Sequence, residues 1–354
     1  MQTDEFDYLL PEELIAQSPA EPRESCRLLL LDKTSGAIGH DNFYNICTYL
    51  KPDDLLIVND TKVMQARLIG KKPGSDTKAE LLLLRRADVI ELASDPQCQL
   101  WEALVKPGRR LKPGSSIDFG GLTAEVIDWA GPASKGQRLV RLLSQDYPSV
   151  EAALAALGTL PLPPYIKSYQ GDSSLYQTVY ARQENSAAAP TAGLHFSNEL
   201  LAEAEAKGCK LAKLCLEIGL DTFRKVDEAN IEDHQIHSEF YTLTEEVVEA
   251  VAQTRARGGR VIAVGTTVVR ALESSALEDG MLKPIQRQQT QLYITPGFNY
   301  QVVDALITNF HTPRSTLLML VAAFAGYDNM MEAYRQALAQ RYRFLSFGDA
   351  MFIF

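Results

Sequence analysis

From residue 198 to the carboxyl end, apolar positions recur in two alternating patterns. Short continuous apolar runs, typical of buried strands, lie at residues 210–218, 260–265 and 302–310. Segments with helical periodicity lie before, between and after them, at residues 198–207, 244–257, 267–277 and 315–325. Strands that alternate with helices predict an α/β fold with a largely parallel sheet.

Between residues 64 and 149 the pattern changes to short β-type runs separated by glycine and proline. The runs lie at residues 80–84, 101–105, 123–127 and 138–143. Short strands at this spacing are typical of antiparallel structure. The segment therefore predicts a small antiparallel barrel or sandwich.

The amino-terminal segment ends in the apolar run 55–58, followed by a polar loop. That run predicts a buried strand, which needs strand partners that the α/β portion could supply. We therefore expect a discontinuous main α/β domain, residues 1–62 and 151–354, with residues 63–150 inserted as an all-β antiparallel barrel domain. A linear order of separate domains is the alternative.

The composition is that of a globular chain, with 46% hydrophobic and 23% charged residues. The sequence contains no apolar run long enough for a membrane helix and no secretory leader pattern. Its five cysteines are never spaced as Cys-x-x-Cys, which favours reduced thiols over disulfides or a zinc knuckle. We expect a cytoplasmic protein without a membrane partner.

The net charge of −10 argues against nucleic-acid binding by the chain as a whole. Residues 62–150, however, carry 14 basic side chains against 10 acidic ones. This local excess is either a chance fluctuation or a basic surface that contacts RNA. Charge alone does not choose between the two.

Polar turns follow two of the predicted strands. The turn 265–267 (Gly-Thr-Thr) opens a helix, where free amides and hydroxyls favour an anion, although an ordinary threonine cap is the alternative. The second turn carries His311, Arg314 and Ser315. Since ligands of α/β proteins bind beyond the carboxyl ends of parallel strands, both turns are candidates. Ser315 could equally cap the next helix, and His311 could bond the loop backbone.

Two further segments contain histidine. His195 lies in a loop of small residues just before a helix, where it could act as a general acid or base or be structural. His234, His237 and Glu239 lie within six residues, which makes a metal site worth testing. Their spacing matches no standard zinc motif, so a polar loop that enters a strand is the favoured interpretation. No dinucleotide glycine turn and no Walker loop occurs, so NAD and ATP chemistry have no support.

Segments spread along the whole chain match one known family in the same order. The most distinctive are Ile57-Val58-Asn59-Asp60-Thr61, Ala192-Gly193-Leu194-His195-Phe196, His237-Ser238-Glu239, Gly265-Thr266-Thr267 and Asn309-Phe310-His311. Through them the chain resembles the S-adenosylmethionine:tRNA ribosyltransferase-isomerase family of queuosine biosynthesis.

The resemblance implies a barrel-like α/β main domain with an inserted β-barrel. It also implies an enzyme that transfers and isomerises the ribosyl moiety of S-adenosylmethionine onto 7-aminomethyl-7-deazaguanine at the wobble position of tRNA. The products are epoxyqueuosine in tRNA, adenine and methionine. S-adenosylmethionine then acts as a ribosyl-donor substrate, and we expect no true cofactor, no metal and a monomeric protein.

For this reaction we expect a shared set of proton-transfer residues: His195, Glu239 and His311. We expect the substrate to be held by Thr191, Gly193, Thr266, Thr267, Arg270, Arg314 and Ser315. We expect the tRNA to be contacted by Lys106, Arg109, Arg110 and Lys112. Two other classes stay open, namely a non-enzymatic RNA-binding protein and a metal-dependent hydrolase that would use His234, His237 and Glu239.

Overall fold

The computed structural model describes residues 1–87, 95–130, 136–167, 169–219, 222, 224–276 and 280–354. Contacts divide the chain into two compact units. Unit 1 comprises Met1–Lys62, Pro163–Gln183 and Ala189–Phe354, and unit 2 comprises Val63–Leu162 and Glu184–Ala188. Within the described ranges, every helix is too short or too polar to span a membrane.

The structure contains both strands and helices in quantity. In chain order the strands are β1 (Arg27–Leu31), β2 (Ile38–Asn42), β3 (Leu55–Asn59), β4 (Thr61–Val63), β5 (Arg67–Lys71), β6 (Lys78–Arg86), β7 (Cys98–Lys106), β8 (Ser116–Asp118), β9 (Leu122–Trp129), β10 (Gln137–Ser144), β11 (Gln183–Ser186), β12 (Lys210–Glu217), β13 (Glu239–Leu243), β14 (Val261–Val264), β15 (Ile285–Thr290), β16 (Ala305–Asn309) and β17 (Ala350–Ile353). The α-helices are α1 (Val150–Leu157), α2 (Asn198–Ala206), α3 (Glu245–Ala256), α4 (Thr266–Ala276), α5 (Thr316–Ala325) and α6 (Tyr327–Ala339).

The strands and helices predicted for the α/β portion are all present. Their bounds differ from the prediction mainly at β16, which is shorter than the apolar run 302–310. The helix predicted over 267–277 is α4, and its expected last residue lies outside the described residues. Helix α2 begins after Ser197, whose side chain accepts a hydrogen bond from the backbone of Leu200, as an N-cap does.

Unit 1 is built on one nine-stranded sheet in the order β15-β13-β12-β3-β14-β16-β17-β1-β2. Its four central strands, β12, β3, β14 and β16, run parallel. The pairs β16–β17, β12–β13, β13–β15 and β1–β2 are antiparallel. The α/β class is confirmed, but the sheet is mixed rather than largely parallel. The alternation of helices and strands in the sequence indicates only the parallel strands of βαβ units, so it does not predict these antiparallel pairs.

The sheet of unit 1 draws strands from both ends of the chain. Strand β1 pairs in parallel with β17, with Leu28 opposite Ala350. The strand order ends at β15 on one side and β2 on the other, so the described strands do not close by hydrogen bonding. The barrel-like form expected for the main domain is therefore not a hydrogen-bonded closure of these strands.

The central strands end at a common edge of the sheet. Val264 in β14 is aligned with Val58 in β3 and with Ile307 in β16. All residues of these three strands are buried, as their continuous apolar runs predict. The polar residues that follow the three strands therefore lie beside one another.

Unit 2 is a closed barrel in the order β10-β7-β6-β5-β8-β9. Each pairing is antiparallel, so the predicted antiparallel barrel is confirmed. Alternate residues of its strands face the core, as in β6 and β10. Helix α1 buries Val150, Ala153 and Leu154 in the same core. Unit 2 therefore extends beyond residue 150, the domain limit expected from the sequence, because the helix after that limit belongs to the barrel core.

Candidate functional site

Unit 1 contains an open cleft beside the carboxyl ends of β14 and β16. This is where α/β sheets bind ligands. The cleft is lined by Tyr165, Ala189, Pro190, Thr191, Ala192, Ile218, Thr222, Gly265, Thr266, Thr267, Thr308, Asn309, Phe310, His311, Thr312, Leu317, Leu345 and Ser346.

The polar groups on the cleft wall are mainly uncharged hydroxyls. Six threonines contribute, together with one asparagine, one tyrosine, one serine and one histidine. Because burial lowers the pKa of His311 to about 3, that imidazole is neutral at physiological pH. Among the described residues, the cleft therefore offers dipoles and hydrogen bonds rather than formal charge.

Helix α4 begins at the cleft wall. Gly265 has a φ of +99°, a conformation that favours glycine, and it turns the chain from β14 into the helix. Thr266 and Thr267, both nine-tenths buried, follow it and line the cleft. The Asn59 amide donates a hydrogen bond of 3.4 Å to the Thr267 hydroxyl. The structure thus places both expected threonines at a helix amino terminus that faces the cleft.

His311 also lines the cleft, and its position is fixed on several sides. Its Nε2 lies 3.0 Å from the hydroxyl of Thr308. Its backbone N–H donates to the hydroxyl of Tyr334 over 2.9 Å, and the Tyr8 hydroxyl donates to its carbonyl. Among the three residues expected to transfer protons, His311 is the one on the cleft wall.

His195 lies behind the cleft rather than on its wall. Its Nε2 is 3.0 Å from Asn309 Nδ2, and its Nδ1 is 3.2 Å from Cys26 Sγ. Because an amide nitrogen only donates, Nε2 accepts and Nδ1 carries the hydrogen. Burial, followed by repulsion from Arg343 and Arg23, lowers the pKa of His195 to about 3. The ring is neutral, and both of its nitrogens are occupied.

Asn309 connects His195 to the cleft. Its Nδ2 donates to His195 and also, over 3.3 Å, to the carbonyl of Leu345. Its Oδ1 accepts a hydrogen bond of 3.0 Å from the Thr191 hydroxyl. Asn309 and Thr191 both line the cleft, so the imidazole behind them determines the direction in which the carboxamide points.

Gly193, expected to contact substrate, is buried and does not line the cleft. A Cβ atom at this position would lie 2.0 Å from the hydroxyl oxygen of Tyr180. The glycine therefore permits close packing beneath the turn Thr191–His195.

Glu239 also lies outside the cleft lining, in a buried ion pair. Its carboxylate contacts the guanidinium of Arg270, and it accepts a 3.0 Å hydrogen bond from the Thr222 hydroxyl. His237 Nε2 lies 3.2 Å away. Burial alone would raise the pKa of Glu239, but Arg270, His237 and Thr222 together lower it to about 2. At neutral pH this carboxylate is ionised and stabilised, which opposes a role as a proton acceptor.

Arg270, expected to hold an anion, is nine-tenths buried beside Glu239 and does not line the cleft. Its Nε donates to the carbonyl of Leu292 over 3.2 Å. Its buried Nη2 has no hydrogen-bond partner among the described residues.

Arg314 and Ser315 are not brought to the cleft wall. Arg314 Nη1 lies 3.3 Å from a carboxylate oxygen of Asp4. The Ser315 hydroxyl accepts from the backbone of Leu318 and donates to the carbonyl of Thr312, which makes it the N-cap of α5. The structure therefore shows Ser315 as a helix cap, which was the alternative to substrate binding.

The four basic residues expected to contact tRNA lie in unit 2, at the end of β7 and in the loop that follows. We call residues 106–112 the basic loop. Lys106, Arg109, Arg110 and Lys112 are all exposed. Among the described residues none of the four forms an ion pair, whereas arginines on the barrel wall pair with carboxylates, as Arg141 does with Glu125 over 2.5 Å.

The alternative metal site is not assembled. His234 Nδ1 bonds Glu228 over 2.8 Å, and Glu239 is occupied by Arg270. Across the described ranges, no group of three or more His, Cys, Asp or Glu side chains is arranged to hold a metal ion.

Sequence reasoning did not select several polar residues of the cleft, namely Tyr165, Thr222, Thr308, Asn309, Thr312 and Ser346. Thr308 and Asn309 end β16, so the rule that ligands bind at the carboxyl ends of strands could have found them. Tyr165 and Ser346 are far apart in sequence but lie 2.7 Å from one another, hydroxyl to hydroxyl. No local pattern indicates such a pair.

Comparisons with known proteins identify the family. A sequence profile described as "Queuosine biosynthesis protein" matches residues 3–353. The chain is 50% identical, over the full length of both chains, to an S-adenosylmethionine:tRNA ribosyltransferase-isomerase of Caldanaerobacter subterraneus subsp. tengcongensis, and equally to one of Thermoanaerobacter sp.. It is also similar to the crystal structure of an S-adenosylmethionine tRNA ribosyltransferase from Thermotoga maritima, with 37% identity, a TM-score of 0.53 and coverage of 99% of this chain and 100% of that one. The chain therefore belongs to the queuosine biosynthesis protein family.

Proposed function

We propose that this protein transfers and isomerises the ribosyl moiety of S-adenosylmethionine onto 7-aminomethyl-7-deazaguanine at the wobble position of tRNA. The products are epoxyqueuosine in tRNA, free adenine and methionine. The observation that carries this proposal is full-length identity of about one half to named ribosyltransferase-isomerases. The chain also has a cleft lined by polar side chains at the carboxyl ends of its central strands.

The first turn of α4 is suited to the anionic end of the donor. Thr266 and Thr267 place hydroxyls in the cleft, and the helix start carries partial positive charge. Arg270 lies one turn after Thr266, on the same face of α4. Its guanidinium is held by the carboxylate of Glu239. We assign the carboxylate of the methionine moiety to this end of the cleft, with Arg270 and Glu239 supporting the helix.

His311 is the group that we assign to proton transfer. The sulfonium acidifies the hydrogens on the neighbouring C5′ carbon, so a neutral base can start the rearrangement by removing one. Its Nε2 is engaged with Thr308, so Nδ1 is the nitrogen left for the substrate. Because burial disfavours the protonated ring, the imidazolium would readily pass its proton to the departing adenine. The aminomethyl nitrogen then loses a proton to solvent and bonds to the sugar carbon that adenine has left. Carbon C5′ bonds to that same carbon in place of the ring oxygen, and the ring oxygen bonds to C5′ as methionine leaves, which closes the epoxide.

We assign His195 a positioning role, different from the proton transfer expected from the sequence. It orients the carboxamide of Asn309, whose oxygen bonds the hydroxyl of Thr191 on the cleft wall. Gly193 permits the close packing of the turn that presents Thr191. Arg314 and Ser315 support the loop before α5 instead of contacting substrate.

We assign the tRNA contact to the basic loop of unit 2. Its four exposed side chains carry charges that no described carboxylate neutralises, and phosphate groups would neutralise them. The proposal further includes a monomeric enzyme in the cytoplasm, where its five buried cysteine thiols stay reduced. S-adenosylmethionine takes part as a substrate, and we propose no other cofactor and no metal.

The test incubates the purified protein with S-adenosylmethionine and tRNA carrying the 7-aminomethyl-7-deazaguanine base. We expect equimolar adenine and methionine, and a tRNA whose mass has increased by the transferred sugar. A tRNA with unmodified guanine is the control, because it lacks the aminomethyl nucleophile. Tight tRNA binding without adenine release would instead support a non-enzymatic RNA-binding protein and would reject this proposal.

A further inference from the structure

An exposed tryptophan and a buried arginine form a stacked pair on the barrel of unit 2. The guanidinium carbon of Arg138 lies 3.5 Å from the ring centroid of Trp129, and the two residues are directly opposite in the β9–β10 register. Arg138 is only 2% exposed, whereas Trp129 is 38% exposed. The indole therefore has a cation packed against one face while much of its surface is open to solvent.

The same arginine holds the basic loop. Its Nη2 donates to the carbonyl of Gly108 over 3.0 Å, and its Nε donates to the carbonyl of Leu111 over 3.2 Å. Its Nη1 donates to the carbonyl of Gly136 over 2.8 Å. Loop carbonyls thus point inward at the guanidinium, which fixes the backbone that carries the exposed cations.

The charge of Arg138 is not neutralised within the described part of the unit. Its recorded partners are backbone carbonyls and an aromatic ring, not a carboxylate. Arg141, three residues further along β10, pairs instead with Glu125. A buried, uncompensated cation adds to the positive potential of the loop above it.

Phosphate-binding cations beside an open aromatic face are what single-stranded RNA requires. Cations contact the phosphates, and an aromatic ring stacks on an unpaired base in a manner that tolerates any sequence. The Arg138 guanidinium is attracted to one face of the Trp129 ring, which holds the ring in place and leaves its other surface for a base. Double-helical RNA offers no accessible base face, so this pair favours a loop nucleotide.

We propose that Trp129 stacks on an unpaired base of the tRNA anticodon loop while the basic loop binds the adjacent phosphates, and that Arg138 is the positioning residue that aligns the two. This inference rests on the proposed tRNA substrate. It adds a base-stacking contact and a single organising side chain to a surface that otherwise consists of charges alone.

Fluorescence tests the stacking, because the chain has two tryptophans and the other, Trp101, is 6% exposed. The probe is a synthetic RNA hairpin with the sequence of an anticodon stem and loop and ordinary guanine at the wobble position, so that no reaction occurs. We expect hairpin binding to quench the emission of the wild-type protein, and Trp129→Phe to abolish most of this quenching. Trp129→Leu should weaken hairpin binding about tenfold.

Two results would overturn the stacking contact. One is equal quenching in the wild-type protein and Trp129→Phe. The other is equal quenching by inorganic polyphosphate, which binds cations but has no base. Polyphosphate that competes for binding without quenching would support the division of labour between the basic loop and the indole.

A pair of arginine variants tests the positioning role. Arg138→Lys keeps the positive charge but loses the fork that reaches both loop carbonyls. We expect it to weaken hairpin binding about fivefold to tenfold, to lower the salt dependence of binding, and to raise the KM for tRNA more than it lowers kcat. Arg141→Lys, on the same strand, is the matched control and should bind as the wild-type protein does.

The positioning role of Arg138 would be overturned if Arg138→Lys bound the hairpin with the same affinity and the same salt dependence as Arg141→Lys. Adenine release by the wild-type protein is measured in the same preparations. Normal adenine release together with unchanged binding in the variants rejects only this inference. Absent adenine release in the wild-type protein rejects the proposed function itself.

Discussion

The cleft of unit 1 and the basic loop of unit 2 use opposite kinds of polar group. The described cleft wall contains hydroxyls, a carboxamide and a neutral imidazole, and hydrogen bonds hold Thr191 to Asn309 and Thr308 to His311. The basic loop presents four exposed cations that have no ion-pair partner among the described residues. In the cleft, the protein itself orients the polar groups. In the basic loop, the positive charges are left for a binding partner to neutralise.

This difference predicts how each region fails when it is altered. Preoriented dipoles in a buried site act on the chemical step, because they need no reorganisation as charge develops. Exposed cations act on encounter and affinity, and salt screens them. Changes in the cleft should therefore lower kcat, whereas changes in the basic loop should raise the KM for tRNA in a salt-dependent manner.

The largest expected effect is that of His311→Asn. Removal of the cleft imidazole should lower kcat by about 10² to 10⁴ fold, because no other described side chain on the cleft wall carries an uncharged basic nitrogen. Affinity for the RNA hairpin should not change. His40→Asn is the matched control, since that histidine is part of an edge contact with the Tyr342 hydroxyl, 2.7 Å away. Near-normal adenine release by His311→Asn would contradict the expectation that the cleft acts on the chemical step.

Much of the fold could be predicted because its signals are local. Strands β3, β14 and β16 are continuous apolar runs, and Ser197 and Ser315 mark the starts of α2 and α5. Strand β17 was missed because it is the last short apolar segment and pairs with β1 at the other end of the chain. No periodicity within a segment reports such a partner.

The candidate site was predicted less completely, because burial and partner choice decide the role of a side chain. His195 and His311 both follow small-residue or polar turns and look equivalent in the sequence. The structure separates them, since the nitrogens of His195 are occupied by Cys26 and Asn309 from distant segments. Glu239 is selected for its carboxylate, but no pattern in the sequence indicates that Arg270 pairs with that carboxylate.

Acid should destabilise unit 1 more than unit 2. All five histidines lie in unit 1, and the pKa values of His195 and His311 fall from 6.5 to about 3 on burial. Below pH 6.5 these two imidazoles bind protons in the unfolded chain but stay unprotonated in the folded protein. The free energy of unfolding therefore decreases as the pH falls from 6.5 towards 3. Burial of His195 and of His311 should each cost about 2 kcal/mol of unfolding free energy at pH 5 and nothing above pH 7.

Hydrogen exchange followed by mass spectrometry checks this difference in the intact chain at pH 5 and pH 7. After correction for the intrinsic exchange rates, core amides of β14 and β16 should lose protection at pH 5, and those of β6 and β7 should lose much less. In His195→Asn the loss in unit 1 between the two pH values should be smaller. Equal loss in both units would show that the buried histidines do not govern acid stability.

A smaller effect is expected from Asn309→Asp. The carboxylate cannot donate to His195 Nε2, so the hydrogen bond that orients the side chain is lost. We expect kcat/KM to fall about tenfold to a hundredfold. The nearby negative charge should also raise the pKa of His195, so the pH profile of kcat should gain a step that the wild-type profile lacks. Asn299→Asp, at an exposed position, is the control. An unshifted pH profile would argue that His195 does not act through Asn309.

The smallest effect should come from a single cation of the basic loop. Arg109→Ala should weaken tRNA binding a few-fold at moderate salt and reduce the slope of log K against log salt by about one, because one phosphate contact is lost. Arg67→Ala is the matched control, since Arg67 is already paired with Glu80 over 2.8 Å and has less charge to offer a phosphate. The slope is a sharper measurement than the affinity, because it counts neutralised phosphates and is insensitive to small losses of packing. If Arg109→Ala and Arg67→Ala lower the slope equally, unpaired charge is not what distinguishes the basic loop from the barrel wall, and the contrast between the two regions is reduced to one of burial.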